Sequence, residues 1–277
     1  MVELFEQHRL ETDTKSSKGN QLKWRDGDIW YKADFTGYEG LAEYLISHLL
    51  QKSSLDSSEF VLYDLETIKY KNNVYNGVKS KNFLKKGHQL ITLERLFKNV
   101  YGQSLNSMIY KTPDDEDRLK LIVNETERIT GLKNFGKYMS KILTVDSFFL
   151  NEDRHTHNIA VLMHDTNQYE ICPIFDQGAA LLADTTIDYP LTDDDAKLYD
   201  MMDSVKPKTF CNDFLEQLEI VEKLYGQNIE FYFSKQDVRD ILDAIPVGMY
   251  SDIVINRVLR ICLERIRQLG YLCKPRK

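Results

Sequence analysis

The chain has 277 residues, 42% of them hydrophobic and 29% charged, with 13 Gly and 6 Pro; this is the make-up of a globular protein and excludes a fibrous or largely disordered one. A formal net charge of -7 supplies no overall field to draw in nucleic acid or an anionic membrane. No stretch approaches the ~20 apolar residues of a membrane span, and the opening residues MVELFEQHRLETDTK lack the apolar run of a signal peptide. A cytoplasmic protein with no membrane partner and no direct nucleic-acid binding is expected, and four scattered cysteines without a CxxC pair predict free thiols.

In chain order, TKSSKGNQLKW (14–24) reads as a polar loop. Its backbone N–H groups, helped by Ser16, Ser17 and Lys18 around Gly19, can cradle phosphate oxygens. It is not a Walker A loop, because GxxxxGK[ST] is absent. After the break at Gly27-Asp28, IWYKADF has the β-branched and aromatic content of a strand, with Lys32 inside it. In YEGLAEYLISHLLQK, Leu41, Tyr44, Leu45, His48 and Leu49 fall at helical spacing. FVLYDLETIKY (60–70) and HQLITLERLF (88–97) read as two more strands, separated by the polar stretch KNNVYNGVKSKN.

From about residue 105 helical patterns take over. Pro113-Asp114-Asp115-Glu116 is a helix start whose acids suit the dipole, and DRLKLIVNETERITG ends at a glycine, Gly131. LKNFGKYMSKILTVDSFFL predicts a buried helix, and CNDFLEQLEIVEKLYG, SKQDVRDILDAI and SDIVINRVLRICLERIRQLG predict three more. The acidic run Asp193-Asp194-Asp195 reads as a solvated loop.

Between those helices, NEDRHTHNIAVLMHDTNQYEICPIFDQG places a polar loop before a hairpin, with Ile159 to Met163 and Tyr169 to Phe175 as its strands. A hairpin returns its far end to its start, so Asp153, Asn158 and Asp176 are expected at one edge. Oxygen donors of this kind suit magnesium, which borrows few ligands from protein and takes the rest from phosphates and water. The chemistry suggested is phosphoryl transfer, with Asp153 accepting the proton of an attacking hydroxyl and Asn158 and Asp176 holding metal against ATP phosphates. Alone, DxxxxN also suits a solvated turn, and His155-Thr156-His157 also suits zinc. In the first part of the chain, Lys32 needs an anionic partner if it turns inward, and Glu39 and Glu43, spaced i, i+4, both qualify. A solvated strand lysine is the alternative.

Phosphate loop, Lys strand, Glu helix, strands, helical region, DxxxxN, hairpin and Asp come in the order of a bilobal kinase. The segments SSKGNQ, YKAD, GYEGLAEYL, FLNEDRHTHNIAVL, ICPIFDQGAAL and KPKTFCNDF resemble the HipA-like serine/threonine kinases, including their compact CtkA type. That resemblance implies an α+β, bilobal protein-kinase-like fold. It has a small β-rich N-lobe with one helix over residues 1–98 and a larger, mainly helical C-lobe over 99–277 that carries the catalytic loop and metal-binding hairpin. It implies ATP- and Mg2+-dependent transfer to a Ser or Thr hydroxyl of a protein, with Asp153 as base, Asn158 and Asp176 as metal ligands and Lys32 on the ATP phosphates. It places the adenine against a link between lobes near Leu93, Glu94 and Arg95. It also allows autophosphorylation at Ser16 or Ser17 and an antitoxin-type partner. A small-molecule or lipid-headgroup kinase and an inactive nucleotide-binding regulatory module are the alternatives, because DRHxxN also occurs in phosphoinositide-kinase-like lobes and the phosphate loop is poor in glycine.

Overall fold

The computed structural model of the protein describes residues 1–9 and 21–275. The expected phosphate loop, with Ser16, Ser17, Lys18 and Gly19, lies outside the described residues. The fold is α+β, and the chain divides into two compact units: Met1–Asn82, Asp176–Val205 and Phe231–Lys277 form the first, and Phe83–Phe175 and Lys206–Glu230 the second. Among the described residues, no helix is long and apolar enough to cross a membrane.

The first unit is built on a five-stranded sheet of β1 (Val2–Leu4), β2 (Lys23–Asp26), β3 (Ile29–Ala33), β4 (Tyr63–Tyr70) and β5 (Asn73–Lys81), in the order β1-β4-β5-β3-β2. β1 runs parallel to β4, and the other pairs are antiparallel. The stretch at 71–82, expected as a polar separator, is instead a long strand paired on both sides. Its polar look misleads because the strand contributes mainly backbone: only Gly77 and Val78 are buried. Gly77 is required there, since a Cβ would lie 2.1 Å from the Lys32 carbonyl oxygen across the β3–β5 ladder. Leu4, Trp24, Tyr31, Ala33, Ile68 and Tyr70 form a core cluster on the sheet; each large apolar side chain so buried contributes about 1.5–3 kcal/mol. α1 (Glu39–Leu50) packs on β4 and β5; Leu41, Leu45 and Leu49 of the expected stripe are buried together with Ala42, Ile46 and Leu50, while Tyr44 and His48 are only partly covered. α6 (Asp195–Ser204), α8 (Lys235–Asp243) and α9 (Asp252–Gln268) belong to the same unit. The acidic run at 193–195 is a helix start rather than a free loop, because Asp194 accepts from the N–H groups of Ala196 and Lys197 and caps α6.

The second unit carries an antiparallel sheet of β6 (His88–Thr92), β7 (Ala160–His164) and β8 (Tyr169–Ile171), in the order β6-β7-β8. Its helices are α2 (Leu93–Tyr101), α3 (Leu105–Lys111), α4 (Asp115–Thr130), α5 (Phe135–Phe149) and α7 (Phe214–Tyr225). The strand expected at 88–97 stops at Thr92, whose side chain accepts from the Arg95 N–H and starts α2, so LERLF is helical. Asp114 caps α4, and Gly131 closes it in the left-handed conformation at φ 76°. α5 is buried along almost its whole length and packs against α7 and α4. The expected hairpin is present as β7 and β8, turning through Asn167 at φ 59°, but its second strand, expected to run to Phe175, pairs only as far as Ile171.

Candidate active site

In the first unit, β3 carries Lys32 inward, and α1 presents Glu43 from its second turn. Lys32 Nζ donates to Glu43 Oε1 at 2.6 Å and to Asp176 Oδ1 at 2.8 Å. The ammonium also lies 5.2 Å from the ring centroid of Tyr63, a cation–π distance. Burial works to strip the proton from Lys32, but the charges of Asp176 and then Glu43 outweigh it and hold the ammonium well above the usual lysine range. Burial pushes the Glu43 carboxyl up, against the pull of Lys32. Glu43 Oε2 is buried and, among the described residues, has no hydrogen-bond partner. Asp176 sits at φ 63°, a left-handed conformation that Asp tolerates better than most residues.

Of the two glutamates that could have paired with Lys32, Glu43 does so. Glu39 instead accepts from the N–H groups of Phe35, Thr36 and Gly37 and from the Thr36 hydroxyl, fixing the turn between β3 and α1. Sequence reasoning passed over Asp34, two residues beyond Lys32. Its carboxyl accepts from the Gly40 N–H at 2.6 Å and from the Tyr250 hydroxyl at 2.8 Å. Burial, with Glu39 nearby, pushes Asp34 up to about 7.

In the second unit, the loop after α5 carries Asp153 and Asn158. Leu150 ends the helix in the left-handed conformation at φ 57°, and the chain turns back on itself. Arg154 organises this loop. Its Nε and Nη2 donate to the two oxygens of Asp146 at 2.8 and 3.0 Å, and its Nη1 donates to the carbonyls of Asn158 and Phe175, both at 2.8 Å. The end of the hairpin is thereby tied to the DxxxxN loop, one residue before Asp176. Asn158 donates from Nδ2 to the Asp153 carbonyl at 3.0 Å, which leaves Oδ1 as the atom its carboxamide can offer a cation. His155 Nδ1 accepts from the His157 N–H, and His155 Nε2 lies 3.7 Å from Asp153 Oδ2. Burial, with His155 beside it, lowers the His157 pKa. Among the described residues, three metal-ligating side chains of the His, Cys, Asp and Glu types come together at Asp115, Cys211 and Glu216, a group that includes neither His155 nor His157.

Leu93 and Glu94, expected beside the adenine, occupy the first turn of α2 and are buried. Leu93 N–H donates to the Ile159 carbonyl, and the Glu94 carboxylate accepts from the Asn106 N–H and the Thr156 hydroxyl. The Asp146–Arg154 pair was the main omission of the sequence reading. Its signal was available: an Asp within the apolar helix KILTVDSFFL needs a cation, and an Arg lies eight residues later.

The described residues thus form an α+β chain with two charged clusters, Lys32-Glu43-Asp176 and Asp146-Arg154-Asp153-Asn158. The chain is similar in structure to the Helicobacter pylori proinflammatory kinase CtkA, with a TM-score of 0.60 at 16% identity over 95% of this chain and 93% of that one. It is also similar to a chain of the Shewanella oneidensis MR-1 complex of HipA, HipB and operator DNA, with a TM-score of 0.45 at 12% identity over 95% of this chain and 66% of that one. No protein-family model matches the sequence, and no curated protein matches it.

Proposed function

We propose that the protein is an ATP- and magnesium-dependent kinase that transfers a phosphoryl group to a Ser or Thr hydroxyl of a protein. The observation that carries this reading is the Lys32 ammonium held between Glu43 at 2.6 Å and Asp176 at 2.8 Å. A buried lysine fixed by a glutamate is a preorganised cation for phosphate oxygens, and the adjacent aspartate is the acid that holds metal in kinase chemistry. The likeness of fold to CtkA, itself a kinase, agrees with it.

Asp176 and Asn158 fit magnesium by donor chemistry, since both offer hard oxygen atoms and no sulfur or imidazole. When bound, the ion supplies charge neutralisation of the phosphates. The chain's own residues do the rest. Lys32 stays protonated and binds phosphate oxygens, Glu43 holds Lys32 in place, and Asp153 accepts the hydroxyl proton of the substrate. Arg154 and Asp146 fix the loop that carries Asp153 and Asn158.

The test is incubation of the purified chain with γ-labelled ATP and magnesium beside Asp153→Ala and Asp176→Ala, with phosphosites mapped by mass spectrometry. Label on serine or threonine in the wild type and in neither variant is the expected result. Label that persists in both variants overturns the residue assignment. Label found only on added small hydroxyl compounds or lipid headgroups overturns the protein substrate, and the absence of any nucleotide binding by calorimetry overturns the kinase reading.

A further inference from the structure

The segment just after Asp176 is strained and buried. Asp176, Leu181 and Leu182 have φ of 63, 56 and 58°, and both leucines are fully buried. Leucine gains nothing from the left-handed region, so three such residues within seven persist only where the surroundings over-determine them. Two turns link Asp176 to the leucines: Ala180 N–H donates to the Gln177 carbonyl, and Ala183 N–H to the Ala180 carbonyl.

Two buried side chains grip this segment from different helices. Tyr38, at the start of α1, donates its hydroxyl to the Leu181 carbonyl at 2.6 Å and its N–H to the Ala183 carbonyl at 3.2 Å. Arg257, on α9, donates to the Pro190 carbonyl at 2.9 Å and, at a long 3.5 Å, to the Leu182 carbonyl. Arg257 is 0% exposed and, among the described residues, forms no ion pair. A guanidinium sunk without a carboxylate is costly unless its hydrogen bonds are needed where it lies; here Nη1 and Nη2 serve the Pro190 and Leu182 carbonyls on either end of the segment, while Nε is buried without a partner among the described residues. Thr36 adds two further bonds, its carbonyl accepting from the N–H groups of Thr185 and Thr186. Gly37 is pressed so closely to the segment that a Cβ would lie 1.9 Å from the Ala183 carbonyl oxygen.

We infer that Tyr38 and Arg257 are positioning residues: together they clamp residues 180–190, in which Leu181 and Leu182 hold the strained left-handed conformation, and this clamp holds the Asp176 carboxylate against Lys32. The consequence for phosphoryl transfer rests on the kinase reading; the clamp itself does not.

Three readouts separate the two. The protein without nucleotide is compared with Tyr38→Phe, Arg257→Met and Arg257→Lys by amide hydrogen exchange and by the rate at which Lys32 reacts with an amine-directed acylating reagent. Magnesium–ATP binding is then measured by calorimetry. Tyr38→Phe and Arg257→Met should exchange amides 180–190 about tenfold faster while the β4–β5 hairpin is unchanged, and Lys32 should react about threefold faster. Arg257→Lys, which keeps a donor, should fall between. Unchanged exchange and labelling in both variants overturns the clamp, as does uniform acceleration across the first unit, which would mark a general loss of stability. If Arg257→Met does not fold, Tyr38→Phe decides. A wild type that binds no magnesium–ATP while the exchange result holds overturns the kinase reading and leaves the clamp standing. Intact binding with unchanged exchange does the reverse.

Discussion

Asp146 and Arg154 form a two-point ion pair, Nε to Oδ2 at 2.8 Å and Nη2 to Oδ1 at 3.0 Å, with Asp146 at 0% and Arg154 at 3% exposure. The remaining Arg154 nitrogen, Nη1, holds the Asn158 and Phe175 carbonyls. Removing one member strands a buried charge, so Arg154→Met should destabilise the chain by about 3–5 kcal/mol in urea denaturation. Asp146→Leu combined with Arg154→Met should recover most of that loss, because neither charge is then left alone. The double variant should still transfer far less label than the wild type, since Asn158 and Phe175 have lost their shared donor.

Lys32, Glu43 and Glu39 should separate in their effects. Lys32→Met removes the cation between two carboxylates, and label transfer should fall by about two orders of magnitude, in line with loss of a preorganised charge. Glu43→Gln keeps the shape and leaves Lys32 to Asp176, so magnesium–ATP affinity should fall by about tenfold, the scale of one charge-assisted bond. Glu39→Gln acts on the turn before α1, where Glu39 accepts four donors. It should lower stability by about 1 kcal/mol, as the loss of a cap does, and leave nucleotide affinity within twofold, or about 0.4 kcal/mol. Calorimetry and urea denaturation on the three variants check the ranking.

The parts of this arrangement that were legible in the sequence share one property: their signal is local. The α1 stripe, the Asp114 start and Gly131 stop of α4, and the hairpin at 160–171 each come from spacing within a few residues. β5 was not legible, because KNNVYNGVKSKN holds its place through ladder bonds to β3 and β4 and not through an apolar face. α2 was hidden because Thr92 can end a strand or cap a helix, and only its bond from the Arg95 N–H decides. The choice of Glu43 over Glu39 depends on a turn whose three N–H groups claim Glu39 first, a competition no spacing rule encodes. Arg257 and Tyr38 carried no signal, since their partners are backbone carbonyls.

Asp34 gives the protein a specific pH dependence. Its folded pKa of about 7 stands above the ordinary value of 3.8 because burial, helped by Glu39, disfavours the charged form. Between those values the folded state holds a proton that the unfolded chain has released. Stability from this group is therefore full below the ordinary value and declines as pH rises toward 7, with a slope of up to about 1.4 kcal/mol per pH unit. Asp34→Asn should flatten the wild-type decline in urea denaturation between pH 5 and pH 7. Tyr250→Phe removes a hydrogen bond that favours the charged form and should steepen it. Equal profiles for wild type and Asp34→Asn would show that Asp34 is not the group responsible.

Asp153 and Asp176 should fail in different ways if their proposed roles hold. Asp153→Asn preserves shape and keeps the backbone bonds that fix the loop, since its carbonyl still accepts from Asn158 Nδ2 and from the His155 N–H. What it loses is a proton acceptor, so label transfer should fall by about 10²- to 10⁴-fold while magnesium–ATP affinity stays within twofold. Asp176→Asn loses a charge from the Lys32 cluster and should weaken magnesium–ATP binding itself, by about tenfold or more. Single-turnover transfer and calorimetry on the same preparations distinguish the two. A binding defect in Asp153→Asn as large as that in Asp176→Asn would assign Asp153 to the metal or nucleotide instead of to the hydroxyl proton. Asn158→Asp supplies the cross-check: it keeps an oxygen donor for magnesium but loses the Nδ2 bond to Asp153. It should therefore resemble Asp153→Asn in turnover more than Asp176→Asn in affinity.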